Sequence, residues 1–334
     1  MKKIITILLI FSSLAVFSQA KGKVSGTIFF NYHNDLTEGA LQKSAFEIER
    51  VYLGYDYIYN EKWSAKVLLD VGKDNGSDYT FFLKAAQVDY KALDWAKFSA
   101  GMIGLNQLSD QEKTWGYRYI YKSFQDIHGF GTTADVGLNS ELKLHNTLKM
   151  NLFVLNGEGY KKVQDLYGKY KVGGNLIYHP TEALIFKVYY AEQDSKKLVG
   201  TTIVENPTVK NIALFAGYEK EKVRFGAEYN KMYDAKKFTE AELDHDLNGF
   251  SIYSTYVLNE KFEFFGRYDL LESNKIGTST ANWNADKDGN AILFGAQYTP
   301  IKGVKSSLNY RVWDYNLATK NDLSMLYLNL EVKF

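Results

Sequence analysis

From Val24 to Phe334 apolar residues recur at every second position, in stretches of about ten residues broken by polar clusters, the period of a strand with one apolar face. The final segment shows this clearly. Leu326, Leu328, Leu330, Val332 and Phe334 share one face, while Met325, Tyr327, Asn329, Glu331 and Lys333 share the other. The same alternation runs through Val51-Leu53-Tyr55-Tyr57, Trp63-Ala65-Val67-Leu69-Val71, Leu184-Phe186-Val188-Tyr190, Val223-Phe225-Ala227-Tyr229 and Val304-Ser306-Leu308-Tyr310-Val312. Charged residues occupy the intervening positions: Lys66 and Asp70, Lys187, Arg224 and Glu228, Arg267 and Asp269, Lys305 and Arg311. A charge facing lipid costs about 2–4 kcal/mol at mid-membrane, whereas a watery lumen accepts it. One strand alone reads the same in a soluble sandwich.

The connections discriminate. Short ones at 60–62, 145–147, 180–182, 220–221, 259–261 and 300–303 alternate with longer polar ones at 33–44, 105–132, 157–169, 193–209, 234–248, 272–290 and 314–322. The pattern predicts an all-β fold: a transmembrane antiparallel up-and-down β-barrel over residues 21–334, with about 16 strands, short periplasmic turns and long extracellular loops. A barrel of that size encloses an aqueous channel. Tyr59-Asn60-Glu61-Lys62-Trp63 is echoed by Leu258-Asn259-Glu260-Lys261-Phe262, as expected where hairpins reuse one turn plan.

Residues 1–20 change the picture by adding export. Lys2-Lys3, an apolar run from Ile4 to Phe17 and the small residues before position 21 read as a secretory signal peptide, cleaved after Ser18 or Ala20. The expected destination is the outer membrane of a Gram-negative bacterium, with its lipid as a partner. Composition agrees with sheet: 26 Tyr and 21 Phe stand against only 3 Pro. The 40 Lys+Arg and 39 Asp+Glu nearly cancel, and losing Lys2 and Lys3 takes the net charge from +1 to −1, so no basic surplus points to nucleic acid. The chain has no cysteine, which removes disulfides, thiolate metal sites and a cysteine nucleophile.

Catalytic, metal and cofactor signals are weak. The five histidines (His33, His128, His145, His179 and His245) are scattered through turns and loops without metal-ligand spacing or a serine elbow. Asn284 to Gly289 has the opening of a calcium loop, but Gly295 stands where the closing Glu belongs. Gly129-Phe130-Gly131 lacks the third phosphate-cradling glycine. The reading is therefore a non-enzyme with no cofactor or metal. The densest chemistry lies in the loop 105–132, with Asp110, Glu112, Lys113, Arg118 and Lys122, and on inward wall positions such as Arg50, Lys66, Arg224, Arg267 and Arg311. These ten residues are the candidate pore lining, with Arg118 the most influential single charge, since fixed charges in a constriction set selectivity. The alternatives are that the loop covers the rim and packs its aromatics on the wall, and that wall charges pair across strands.

Phe46-Glu47-Ile48-Glu49-Arg50-Val51-Tyr52-Leu53-Gly54-Tyr55 leading to Leu69-Asp70-Val71-Gly72, Leu83 to Tyr90, and Trp115-Gly116-Tyr117-Arg118-Tyr119 followed by Ala134 to Leu138 resemble the phosphate-selective porin family (the O and P porins). The likeness is clearest over residues 24–160. It implies a trimeric passive channel for small hydrophilic solutes, anions such as phosphate among them. It also implies that the third outer loop, 105–132 by count, folds inward to narrow the pore. One departure matters: phosphate-selective members line the pore with many arginines, and this chain has only Arg50, Arg118, Arg224, Arg267 and Arg311. A structural or adhesion barrel with a closed lumen, and an outer-membrane barrel enzyme, are the competing classes.

Overall fold

A computed structural model describes residues 21–334 apart from 42, 75–77 and 236–244. The expected signal peptide lies outside the described residues. Seventeen strands form one antiparallel sheet: β1 (Lys21–Asp35), β2 (Ser44–Ile58), β3 (Trp63–Asp74), β4 (Asp78–Leu93), β5 (Ala96–Gly104), β6 (Ala134–His145), β7 (Leu148–Leu155), β8 (Gly168–Tyr178), β9 (Leu184–Val199), β10 (Thr202–Glu205), β11 (Val209–Lys220), β12 (Val223–Tyr233), β13 (Leu247–Val257), β14 (Phe262–Ser273), β15 (Gly289–Ile301), β16 (Val304–Tyr315) and β17 (Leu323–Lys333). The short β10 only extends the tip of β9, and β9 pairs directly with β11, so sixteen strands make the wall. Pairing of β1 with β17 closes it, as the alternation predicts.

At the seam Gly26 and Phe334 exchange both backbone hydrogen bonds (2.9 and 3.1 Å), and the Phe334 ring lies over Gly26. The outer face carries exposed Leu53, Val67, Val188, Leu214, Ile292, Leu308 and Leu328, a lipid-facing band. Near the short turns aromatic pairs stack across strands, Trp63 on Tyr90 at 4.4 Å and Phe262 on Tyr298 at 4.9 Å, in the position of an interfacial girdle. The echoed turns are one device. Asn60 Oδ1 accepts from the Lys62 and Trp63 amides, and Asn259 Oδ1 accepts from Lys261 and Phe262. Two hairpins were invisible to the loop pattern: β4 begins at Asp78, four positions after β3 ends at Asp74, and β4 and β5 are joined by only two residues.

Two β-bulges interrupt the register within the first four strands. Phe29 pairs with Arg50 but Phe30 with Ile48, leaving Glu49 extra on β2. Leu68 pairs with Ala85 but Leu69 with Leu83, leaving Lys84 extra on β4. A bulge re-aims a side chain. Counting by twos from Asp89 puts Lys84 on the lipid face, whereas the bulge turns it into the lumen, 3.7 Å from Asp70.

Candidate functional site: the loop inside the barrel

The connection 105–133 enters the lumen. It holds two short helices, α1 (Ser109–Trp115) and α2 (Phe124–Ile127). Helix α1 stops at Gly116, whose φ of 75° is the left-handed conformation of a helix end and whose missing Cβ lets the Arg224 guanidinium approach.

Wall residues grip this loop from β9 round to β17. The Lys187 ammonium, 1% exposed, donates to the Gln107 carbonyl (2.9 Å) and Gln111 Oε1 (3.2 Å) and pairs with Asp110 (2.9 Å). Tyr253 donates to the Gln111 carbonyl at 3.0 Å, Arg267 to Lys122 O at 2.7 Å, Arg311 to Ile120 O at 2.9 Å and Asn329 to Tyr119 O at 3.3 Å. Loop side chains answer: Tyr117 donates to Glu263 and Tyr119 to Gln297. Apolar packing continues the contact. Trp115, Tyr117, Tyr119 and Ile120 bury themselves against Phe215, Tyr253, Phe265 and Leu293. Higher up, Phe124 and Phe130 do so against Met232, Leu247, Leu271 and Trp313. The Phe124 ring occupies the space a side chain at Gly249 would fill. His128, sealed between Phe124 and Trp313, has its imidazole pushed down to about 4 by burial.

Between the loop and the β1–β8 wall three cavities remain among the described residues, of about 480 and 390 Å³ toward the short turns and about 320 Å³ toward the long loops. Arg118 borders the first and the last of these, at the waist, and Asp110 the 390 Å³ one. On the wall side Arg50 Nη1 reaches both Asp70 oxygens at 2.9 and 3.1 Å, and Tyr160 donates to Asp70 at 2.6 Å. Lys84 lies over the Tyr52 and Tyr160 rings at 4.9 and 5.1 Å. On the loop side Arg118 is held by Glu112 and by Asp126, the latter at 2.9 Å. Burial pushes the Glu112 carboxyl up, an effect Arg118 only partly offsets. Burial also raises Asp126, but Arg118 and Lys122 outweigh it and hold that carboxyl low.

The ten candidate residues thus divide. Arg50, Glu112, Arg118 and Lys122 border the cavities at the waist, and Lys66 borders the larger one, 3.8 Å from Asp56. Asp110 is tied to Lys187, and Lys113 is exposed on α1 beside Glu182 and Glu219. Arg224, Arg267 and Arg311 lie between the wall and the loop, facing its carbonyls and rings rather than these cavities. Lys84, Tyr52 and Tyr160 join the waist without having been singled out. Lys84 was hidden by its bulge, and Tyr160 by belonging to the next loop.

Other candidate chemistry closes on itself. The Asp288 carboxylate in the segment with a calcium-loop opening accepts from the Ser273 amide and hydroxyl (3.0 and 2.6 Å) and from the Asn282 and Asn284 amides (each 3.2 Å), donors that oppose a cation. Among the described residues no group of three or more His, Asp or Glu could hold a metal, and no helix is long and apolar enough to cross a membrane.

No family model matches this sequence, and no curated relative does. Solved structures do. OmpF of Salmonella typhi, in complex with daunomycin, superposes with a TM-score of 0.69 at 14% identity, over 94% of this chain and 98% of that one. The anion-selective porin from Comamonas acidovorans gives 0.63 at 10% identity, over 95% and 100%. OmpT of Vibrio cholerae, folded in vitro and in trimer form, gives 0.61 at 12%, over 95% and 100%. With a lipid band outside, polar groups inside and sixteen antiparallel strands closed on themselves, the fold is that of an outer-membrane porin barrel.

Proposed function

We propose that this protein is a passive diffusion channel of the outer membrane, and that small hydrophilic solutes cross between the internal loop and the β1–β8 wall with a mild preference for anions. The observation that carries this reading is the charge at the waist. Arg50, Lys84, Arg118, Lys122, Lys161 and Lys162 are six cations against the four carboxylates Asp70, Glu112, Asp126 and Glu158. Asp70 has no exposed surface and is consumed by its donors, so the surplus is positive where a solute must shed water. A phosphate filter is the narrower reading, and it is weaker. Three of the five arginines stand behind the loop, and the two at the waist are ion-paired. The printed description of the Comamonas neighbour as an anion-selective porin supports the broader form, and the trimer form of Vibrio cholerae OmpT supports a homotrimer here.

The test is single-channel recording in planar bilayers under a potassium chloride gradient. Discrete conductance steps with a reversal potential on the anion side are expected. A unit charge a few ångströms from the ion is worth about 1 kcal/mol in water and up to about 4 in a partly desolvated site. Lys84→Glu should therefore move the anion-to-cation permeability ratio at least about fivefold toward cations at low salt. A lumen that passes no current would leave the closed structural barrel as the reading.

A further inference from the structure

The guanidiniums of Arg224, Arg267 and Arg311 stand at inward positions on β12, β14 and β16, and each is taken up by the internal loop in the same way. Arg224 lies over the Tyr117 ring (5.2 Å) and reaches Trp115 O (3.5 Å). Arg267 lies over Trp115 (5.2 Å) and Tyr121 (5.0 Å) and donates to Lys122 O. Arg311 is sandwiched between Tyr121 (4.0 Å) and Tyr327 (4.5 Å) and donates to Ile120 O. Tyr117 and Trp115 meet edge to face at 5.1 Å, so the three cations and their rings form one continuous chain of contacts. Trp115 Nε1 donates to the Tyr121 carbonyl at 2.8 Å and folds the loop back on itself within that set of contacts.

We propose that these three arginines are positioning residues: a cation–ring ladder that clamps the loop to the β12–β16 wall and so fixes the bore of the passage on the loop's other side. Electrostatics and geometry separate this role from a pore charge. Arg267 is 4% exposed and neutralised by Asp269 at 2.7 Å, and Arg224 has Glu263 at 3.7 Å. Arg311 is 9% exposed, with two ring faces closing over it. A guanidinium suits this position because it can stack flat on a ring while its edge donates to a carbonyl. An ammonium can do one or the other well.

The chain has no cysteine, so a single introduced thiol reports on the loop without background. Ser123, 2% exposed at the start of α2, is the reporter position, and Ser123→Cys is nearly isosteric. Maleimide modification of this thiol is measured in the otherwise wild-type barrel and beside Arg311→Met or Arg311→Lys. Tyr121→Leu is added because it removes the shared ring without touching the wall. Heat-modifiable migration on gels confirms that each barrel is closed. The expected result is a roughly tenfold faster modification in all three variants, the equivalent of about 1.4 kcal/mol lost from loop docking. Arg311→Lys should fail to rescue, and conductance should rise while the reversal potential stays put. Unchanged modification rates in closed barrels would overturn the proposal. So would a reversal potential that moves in Arg311→Met and is restored by Arg311→Lys, since Arg311 would then be a pore charge. The thiol readout stands even if the lumen carries no current, so it succeeds or fails separately from the channel reading.

Discussion

The inner wall presents two different surfaces. From β9 round to β16 inward positions carry Tyr189, Phe215, Met232, Tyr253, Phe265, Leu293 and Trp313, all buried. Their polar neighbours Lys187, Arg267 and Arg311 donate to the loop's own carbonyls. From β1 to β4 inward positions carry Arg50, Lys66, Asp70 and Lys84, two bulges disturb the register, and the partners border open cavities. One half behaves as the core of a soluble domain, with the loop as its second layer. The other is a solvated wall whose charges pair among themselves. An inward arginine is therefore structural or functional according to whether the loop or water faces it, and alternation along a strand is blind to that.

The comparison can be broken most severely at the seam that joins the two halves. Removing Phe334 deletes both backbone hydrogen bonds to Gly26 and the ring over it. Outer-membrane levels should fall about tenfold or more, with accumulation in the periplasm, since an open sheet edge cannot persist in lipid. Fractionation and immunoblotting read this out, and normal levels would show that closure does not depend on the terminal residue.

Next in size is a paired truncation. Phe265→Ala in the covered half should cost about 3–5 kcal/mol in urea-induced unfolding from vesicles, the range for a buried aromatic. Phe82→Ala in the open half should cost about 1 kcal/mol or less, because the side chain is only half-buried, its ring edge-on to Tyr160 (6.2 Å) and under the Lys161 ammonium. Equal losses would erase the distinction between the two surfaces.

The smallest effect is with pH, and it sharpens the picture of the waist. Burial raises the Glu112 carboxyl above its ordinary value while Asp126 is held below. As pH falls Glu112 therefore takes up its proton first, and one negative charge leaves the passage while Asp126 stays ionised. The anion-to-cation ratio should rise about twofold between neutral and mildly acidic solution, a change of about 0.4 kcal/mol. Glu112→Gln should already show the raised ratio at neutral pH and lose the dependence. A ratio that falls with acid would mean that another group titrates at the waist.

Much of this was legible in one dimension, for a physical reason. A strand between lipid and lumen must alternate, so Leu326-Leu328-Leu330 and Val51-Leu53-Tyr55 declare their outer face. A tight periplasmic turn needs its Asn, so Asn60 and Asn259 declare the hairpins. The covered half left a fainter mark. Phe264-Phe265 and Ala291-Ile292-Leu293-Phe294 are apolar on both faces, the pattern of strands buried on both sides. What the sequence alone determined is the barrel, its strand directions and the outer loop that carries the densest charge. Only the tertiary structure decided which way that loop leans, and therefore that Arg267 and Arg311 meet carbonyls and rings instead of a channel. It also decided that one extra residue on β4 swings Lys84 from the lipid side to the waist. Both decisions rest on contacts between residues far apart in the chain, and on a register shift that no single strand records.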